Sequence, residues 1–136
     1  LIGYVYYKRT EELFLIDTWS LPRDVRRIAP NALEAKVFVP EDSLWFSGHF
    51  PGEPILPGIA VVHTVYETIL QDAQDRGESV RILSLRRIRF TSPVRPGDTL
   101  LISMTSEDAS IEKNYIFKVT VGENTASSGL VAVVKM

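Results

Sequence analysis

The segment that most constrains the fold is 49–58, which places three prolines and two glycines directly before a long apolar stretch. Proline fixes φ and pushes the preceding residue towards extended conformations, so this segment cannot be helical and loses little entropy when it becomes ordered. After Gly58, apolar residues recur at helical spacing, and Gly77 is a suitable stop. The sequence therefore predicts a rigid loop followed by one helix over 58–74.

Both histidines of the chain belong to this region, because His49 opens the loop and His63 lies about one and a half turns into the helix. An imidazole with an ordinary pKa of about 6.5 is a competent general base near neutral pH. Gly58 leaves the helix N-terminus without a covering side chain, so its amide can stabilise negative charge that develops on a carbonyl oxygen. These groups indicate removal of a proton from a carbon next to a carbonyl.

The predicted helix is apolar over much of its circumference, so it must be buried inside other elements. Alternating apolar and polar residues, separated by turn residues, predict strands at 33–39, 81–90, 99–106, 111–121 and 126–134. One central helix with a meander of at least five strands is an α+β layout.

Composition limits the other possibilities. The chain has 136 residues, 45% of them apolar and 24% charged, which predicts a single domain over 1–136. It has no cysteine, which suits a reducing cytoplasm, and two histidines without a zinc-binding spacing predict no metal site. A net charge of −2 and the lack of a membrane-length apolar run argue against nucleic-acid and membrane partners. Because the sequence opens at Leu1, we expect a short upstream segment.

Segment 49–58 resembles the loop H-F-P-G-x-P-x-x-P-G of the beta-hydroxyacyl-ACP dehydratase family, with every fixed position present. A second stretch, 89–100, resembles the strand and turn R-F-x-x-P-V-x-P-G-D-x-L of the same family. The resemblance covers roughly 33–134, whereas the N-terminal segment 1–32 matches only loosely. It implies the hotdog fold, in which a curved antiparallel sheet of five or six strands surrounds a long central helix.

The resemblance further implies a lyase that removes water from 3-hydroxyacyl thioesters in fatty-acid or polyketide-like biosynthesis and releases trans-2-enoyl thioesters. His49 would then be the base and the Gly58 amide the oxyanion donor. The family carries a glutamate or aspartate where this chain has His63, so we predict that His63 donates a proton to the leaving hydroxyl across a dimer interface. The predicted substrate-binding residues are Phe50, Pro51, Gly52, Pro57, Ile59, Arg89 and Arg95.

By the same resemblance, the partners are acyl carrier protein and a second copy of the chain, in a homodimer that can assemble further. No metal, nucleotide or redox cofactor is expected, because the substrate brings its own phosphopantetheine arm. Arginines concentrate at 81–95 and at 23–27, where they would either dock the acidic carrier or form solvated strand edges.

The histidine at position 63 leaves two alternatives open. The chain could be a hotdog thioesterase, for which Glu67 is the one suitable water-activating carboxylate on the helix. It could also be a noncatalytic subunit that binds acyl carriers. Glu67, one turn beyond His63, would either orient and charge the imidazole by an i,i+4 contact or lie at the edge of the core.

Overall fold

The computed structural model describes residues 4–9, 12–17, 19–46 and 52–136. The first two ranges form an antiparallel hairpin of strands β1 (Tyr4–Arg9) and β2 (Glu12–Asp17). The rest of the described chain contains one long helix and a six-stranded sheet, which are the parts that position the candidate site.

The sheet is antiparallel throughout, in the order β3-β4-β6-β7-β8-β5. Its strands are β3 (Arg23–Ala29), β4 (Ala32–Phe38), β5 (Val80–Phe90), β6 (Thr99–Ala109), β7 (Glu112–Val121) and β8 (Asn124–Lys135). A short 3-10 turn at Leu44–Phe46 and the helix α1 (Gly58–Asp75) connect β4 to β5. Strands β3 and β5 are therefore the two edges of this sheet.

The predicted hotdog arrangement is confirmed, with α1 and five strands close to their predicted bounds. Strand β3 and the hairpin were not predicted. The sequence of β3, R-D-V-R-R-I-A, has four charged residues and alternates poorly, because an edge strand meets less of the core than a central one. That the whole chain is one domain stays a prediction.

Helix α1 packs against the concave face of the sheet through a row of small and branched apolar side chains. Val65 and Ile69 are fully buried and lie in one core with Leu100, Ile102 and Phe117 from the sheet. Polar side chains on the buried side of α1 are satisfied locally, because the hydroxyls of Thr64 and Thr68 each donate to the carbonyl one turn earlier, at 2.8 Å.

The C-terminal end of α1 closes at Gly77, as the sequence predicts, and the closure is a Schellman motif. Gly77 has φ +72°, its amide donates to the carbonyl of Gln74 at 2.9 Å, and the amide of Glu78 donates to Ala73 at 2.8 Å. A left-handed residue at this position favours glycine because no Cβ clashes with the backbone.

Edge strand β5 carries a bulge near its end. Between Arg86 and Arg89 two residues face Gly129 alone, and Arg87 adopts φ 54°. Ile88 consequently turns against the core, where a Cβ on Gly129 would lie 2.5 Å from Ile88 Cδ1.

Candidate active site

The two sequence motifs lie side by side in the structure. The amide of Leu56, in the proline-rich loop, donates to the carbonyl of Val94, in the second motif, at 2.7 Å, and both side chains are buried. The second motif then turns at Gly97, whose φ of +87° and whose 2.7 Å hydrogen bond to Val39 fix the turn against β4. Residues that are about 40 positions apart in the sequence thus form one structural unit at the start of α1.

An open groove of about 600 Å³ runs between these motifs at the N-terminus of α1. Ile59 and Phe90 line it and are 64% and 54% exposed, so the groove has an apolar surface. The Phe90 ring also covers Gly58, where a Cβ would lie only 2.7 Å from the ring. The Phe90 ring can therefore occupy this position in the groove only because Gly58 has no side chain.

The helix N-terminus at this groove has no side-chain cap among the described residues. Pro57 occupies the N-cap position, and its carbonyl accepts the amides of Ala60 and Val61 at 2.9 and 3.4 Å. The amide of Gly58, the first residue of the helix, belongs to the set that has no acceptor within a helix. An uncapped helix N-terminus has the amides and the partial positive charge that an oxyanion needs, and the role of Gly58 as an oxyanion donor stays a prediction.

His63 lies on another side of the helix. It follows Gly58 by five positions, which places the two residues about 140° apart around the helix axis. The side chain of His63 is 23% exposed, and its Nε2 lies 3.2 Å from Glu67 Oε1, one turn further along. The centre of the Trp45 ring lies 5.9 Å from that of the imidazole.

Glu67 is the centre of a half-buried polar network rather than a solvated side chain. Its carboxylate accepts a hydrogen bond from the hydroxyl of Ser20, and Arg23 Nη1 lies 3.8 Å away. Burial raises the pKa of Glu67, but the hydrogen-bonding contacts with His63 and Ser20 and the charge of Arg23 outweigh it, so the pKa lies below its ordinary value. Glu67 is therefore ionised near neutral pH and favours a proton on His63.

The other predicted site residues lie in different places. His49, Phe50 and Pro51 lie outside the described residues. Gly52 is exposed with φ +101°, and Pro57 caps the helix as described above.

The arginines predicted to bind substrate do not line the groove at Gly58. Arg89 borders a smaller groove of about 300 Å³ on the sheet, together with Arg87 and Phe117. Arg95 borders a third depression of about 530 Å³ with Glu41 and Gly52. Neither arginine therefore meets Gly58 within one chain.

Sequence reasoning missed three side chains that surround His63 and Glu67, namely Ser20, Arg23 and Trp45. They come from the segment before β3, from β3 itself and from the 3-10 turn. No spacing rule connects residues so far apart in sequence, whereas the i,i+4 relation of His63 and Glu67 is visible in it.

Among the residues described by the structure, no group of three or more His, Cys, Asp or Glu side chains could hold a metal ion. In the same part of the chain, we find no helix with the length and apolar character needed to cross a lipid bilayer.

A protein-family model described as "ApeI-like: ApeI dehydratase" matches residues 25–130. Curated relatives include the 3-hydroxyacyl-[acyl-carrier-protein] dehydratase FabZ of Syntrophobacter fumaroxidans, 36% identical over 67 residues that cover 44% of either chain. The FabZ of Caldicellulosiruptor saccharolyticus is 37% identical over 78 residues, 54% of either chain. The chain thus spans about half the length of the curated relatives it matches.

Solved structures show the same fold. The dehydratase heterocomplex ApeI:P from Xenorhabdus doucetiae matches with a TM-score of 0.67 and 23% identity, over 85% of this chain and 98% of that chain. An uncharacterised protein from Erwinia carotovora matches with a TM-score of 0.60 and 30% identity, over 85% and 94% of the two chains. The helix, the sheet and the groove at Gly58 therefore lie in a fold that dehydratases use.

Proposed function

The chain belongs to the ApeI-like dehydratase family, and from this premise we propose that it removes water from 3-hydroxyacyl thioesters carried on acyl carrier protein. The observation that carries the proposal is the joining of the two motif segments at the start of α1, where the 2.7 Å bond between Leu56 and Val94 holds the groove beside Gly58. An uncapped helix N-terminus next to an apolar groove suits an acyl thioester, because its carbonyl is polar and its chain is not.

In the proposed reaction, His49 takes the proton from C2 of the acyl chain, while the Gly58 amide donates a hydrogen bond to the thioester oxygen as negative charge develops. His63 donates a proton to the C3 hydroxyl, which leaves as water as the C2–C3 double bond forms. Transfer of the proton from His49 to His63 through solvent then restores both rings. The product is a trans-2-enoyl thioester.

We propose that each site uses two chains. Gly58 and His63 lie about 140° apart around α1, so a substrate bound against Gly58 of one chain would meet His63 of the partner subunit. The free edge of β5 supports pairing of two sheets, because it exposes Leu83, Leu85 and Phe90, at 44%, 43% and 54%. A homodimer is accordingly the proposed minimal unit, with assemblies of dimers above it.

Further parts of the proposal concern the carrier, the cofactors and the location. Arg89 and Arg95 are exposed and lie outside the groove, so they suit contact with the acidic carrier rather than with the acyl chain.

The reaction needs no cofactor other than the phosphopantetheine of the carrier. We place it in fatty-acid or polyketide-like biosynthesis in the cytoplasm.

A thioesterase function is not favoured by the site. The water-activating carboxylate in that alternative would be Glu67, but its oxygens are engaged by Ser20, His63 and Arg23 inside a half-buried network. A carboxylate held in this way is better suited to orienting a neighbour than to activating a mobile water.

The test is the identity of the product. We would incubate the purified chain with a 3-hydroxyacyl carrier and with the matching enoyl carrier, and measure enoyl thioester, hydrated thioester and free acid by mass spectrometry. We expect interconversion of the two thioesters, with loss of activity in His49→Ala. Release of free acid as the main product, or carrier binding without turnover, would contradict the proposal.

The two-chain site has its own test. His49→Ala and His63→Ala chains should each be inactive, but co-expressed chains should form mixed dimers with one intact site and recover up to about a quarter of wild-type activity. Activity that is not restored by mixing would place both groups in one chain's site.

A further inference from the structure

The pair formed by His63 and Glu67 is supported by the spacing of the two residues within the helix and by residues of other elements. Within α1, the i,i+4 spacing brings Glu67 Oε1 to 3.2 Å from His63 Nε2. The side chains are 23% and 13% exposed, so this pair is screened by solvent much less than an exposed helix pair. A contact of this kind fixes which edge of the imidazole faces the carboxylate.

Glu67 is in turn held by residues of another element. The Ser20 hydroxyl donates to Glu67 Oε2, and Arg23 approaches Oε1 at 3.8 Å. Arg23 is itself fixed, because its Nε donates to Gln71 Oε1 at 3.1 Å. Ser20 and Arg23 precede the residues 25–130 that the family model matches, so this support lies outside the matched region.

The ring of Trp45 lies beside the imidazole of His63, and the ring of Trp19 packs against Trp45. The ring of Trp45 lies 5.9 Å from His63 at an interplanar angle of 56°, a distance at which an indole attracts a cation. Trp45 is held in place by the 2.7 Å bond from its Nε1 to the carbonyl of Trp19, whose own ring packs 4.8 Å away. An anion at one edge and an indole beside the ring both favour the protonated imidazole.

We propose that Glu67 is a positioning residue that holds His63 by Nε2 and keeps it protonated, so that the ring can deliver a proton to the leaving hydroxyl. This inference rests on the proposed function, in which His63 has the proton-donating role. It explains how a histidine can work as an acid at this position while His49 works as a base: two imidazoles serve opposite roles only when their surroundings separate their proton affinities. Ser20 and Arg23 keep the carboxylate in place.

The experiment measures the titration of His63 and the kinetics together, in the full chain. Because the chain has only two histidines, nitrogen-15 NMR resolves both rings, and the spectrum of His49→Ala assigns them. The variants are Glu67→Gln, which removes the charge with little change in shape, and Glu67→Asp, which keeps the charge but shortens the side chain by one methylene. Asp72→Asn is the matched control, because it removes another arginine-paired carboxylate from the same helix.

In Glu67→Gln we expect the titration of His63 to move to lower pH, because the neighbouring anion is gone and Arg23 remains as the charged group from β3 that faces the pair. The kcat for dehydration should fall about 10- to 100-fold, the range seen when groups that orient a functional histidine are removed. The alkaline limb of the pH profile of kcat should move to lower pH, with KM changed less than about threefold. Glu67→Asp should keep the His63 titration near that of wild type but lower kcat, because charge is retained and position is not.

Asp72→Asn should leave the His63 titration, kcat, the pH profile of kcat and KM unchanged. An unchanged His63 titration in Glu67→Gln would overturn the inference, and so would an unchanged kcat in both Glu67 variants. Lack of turnover by the wild type would instead overturn the proposed function, while the NMR titration would still show whether Glu67 keeps His63 protonated.

Discussion

Two carboxylates of α1, one near the middle of the helix and one near its C-terminal end, each meet an arginine from β3. Glu67 meets Arg23 at 3.8 Å, and Asp72 meets Arg27 at 2.5 Å. In both cases the carboxylate also has an i,i+4 neighbour on the helix. For Glu67 that neighbour is His63, whereas for Asp72 it is Arg76, at 3.0 Å.

The difference between the two carboxylates lies in that neighbour and in the helix end towards which the neighbour lies. At the C-terminal end, Asp72 is 4% exposed and lies between two permanent cations, and the Schellman motif at Gly77 satisfies the last carbonyls. Glu67 instead holds His63, one turn nearer the N-terminus, which is a group that can gain and lose a proton. The first amides of the helix have no side-chain cap among the described residues. The same construction thus closes the C-terminal end of the helix in one case and, in the other, positions the histidine to which we assign the proposed proton donation.

The largest effect on stability is expected from Asp72→Ala. Removing the carboxylate leaves Arg27 and Arg76 without their common partner, so we expect the free energy of unfolding to fall by about 2–3 kcal/mol, below the range for fully buried pairs because both arginines are partly solvated. Urea denaturation measures the change. Glu78→Ala, which removes a more exposed partner of Arg76, is the control and should cost less than about 1 kcal/mol. Equal effects of the two variants would mean that Asp72 does not hold the C-terminal end.

Gly58→Ala should affect activity more than stability. The new methyl group would lie 2.7 Å from the Phe90 ring, which is 54% exposed and can swing away into the groove. We expect kcat to fall about 10- to 100-fold, since small displacements in a reactive site cost that much. The free energy of unfolding should change by less than about 1 kcal/mol, because alanine has a higher helix propensity than glycine.

The double variant Gly58→Ala/Phe90→Ala is the matched control, because it gives the methyl group room. It should recover part of the lost activity if crowding of the groove is the cause. Full activity in Gly58→Ala alone would show that the acyl chain does not bind at this end of the helix.

Gly77→Ala should affect stability more than activity. A Cβ there would meet nothing within 4 Å, so its cost comes only from the left-handed backbone, about 1 kcal/mol. Gly77→Asn should cost less, because asparagine tolerates this conformation. Thermal unfolding measures both changes, and kcat should stay at the wild-type value. Loss of kcat in a folded Gly77→Ala chain would argue against the separation of the two ends.

The smallest expected effect is the pH dependence that Glu67 gives to stability. Its pKa is lowered on folding from an ordinary 4.5, so ionised Glu67 stabilises the fold above that pH, and this contribution is lost as the pH falls through the lowered folded pKa. Glu67→Gln should remove this part of the acid sensitivity. Urea midpoints at neutral and acidic pH measure this contribution. If the midpoint changed equally with pH in the wild type and in the variant, the lowered pKa of Glu67 would be contradicted.

Much of this architecture follows from local sequence signals. Pro57 and Gly58 mark the start of α1, Gly77 marks its end, and five strands alternate clearly enough to be predicted. Strand β3 was missed because four of its seven residues are charged, and two of them, Arg23 and Arg27, pair with carboxylates of α1 that only the folded chain brings near.

For the candidate site, the sequence was informative about residues on one element and silent about contacts between elements. The spacing of His63 and Glu67 indicates their contact, but the bond from Ser20 joins residues 47 positions apart and depends on tertiary structure. The bulge at Arg87 was also invisible, because a left-handed arginine has no local signature. The positions and roles of His49, Phe50 and Pro51 stay predictions.

The central claim is that the N-terminal part of α1 performs proton chemistry through His63. The most direct measurement is the rate of enoyl thioester formation from a 3-hydroxyacyl carrier by the wild type and by His63→Ala, at equal concentrations of folded protein. We predict a loss of about 10²- to 10⁴-fold in the variant, as for general acid–base groups elsewhere, with unchanged stability and assembly. Equal rates in the two proteins would contradict the claim.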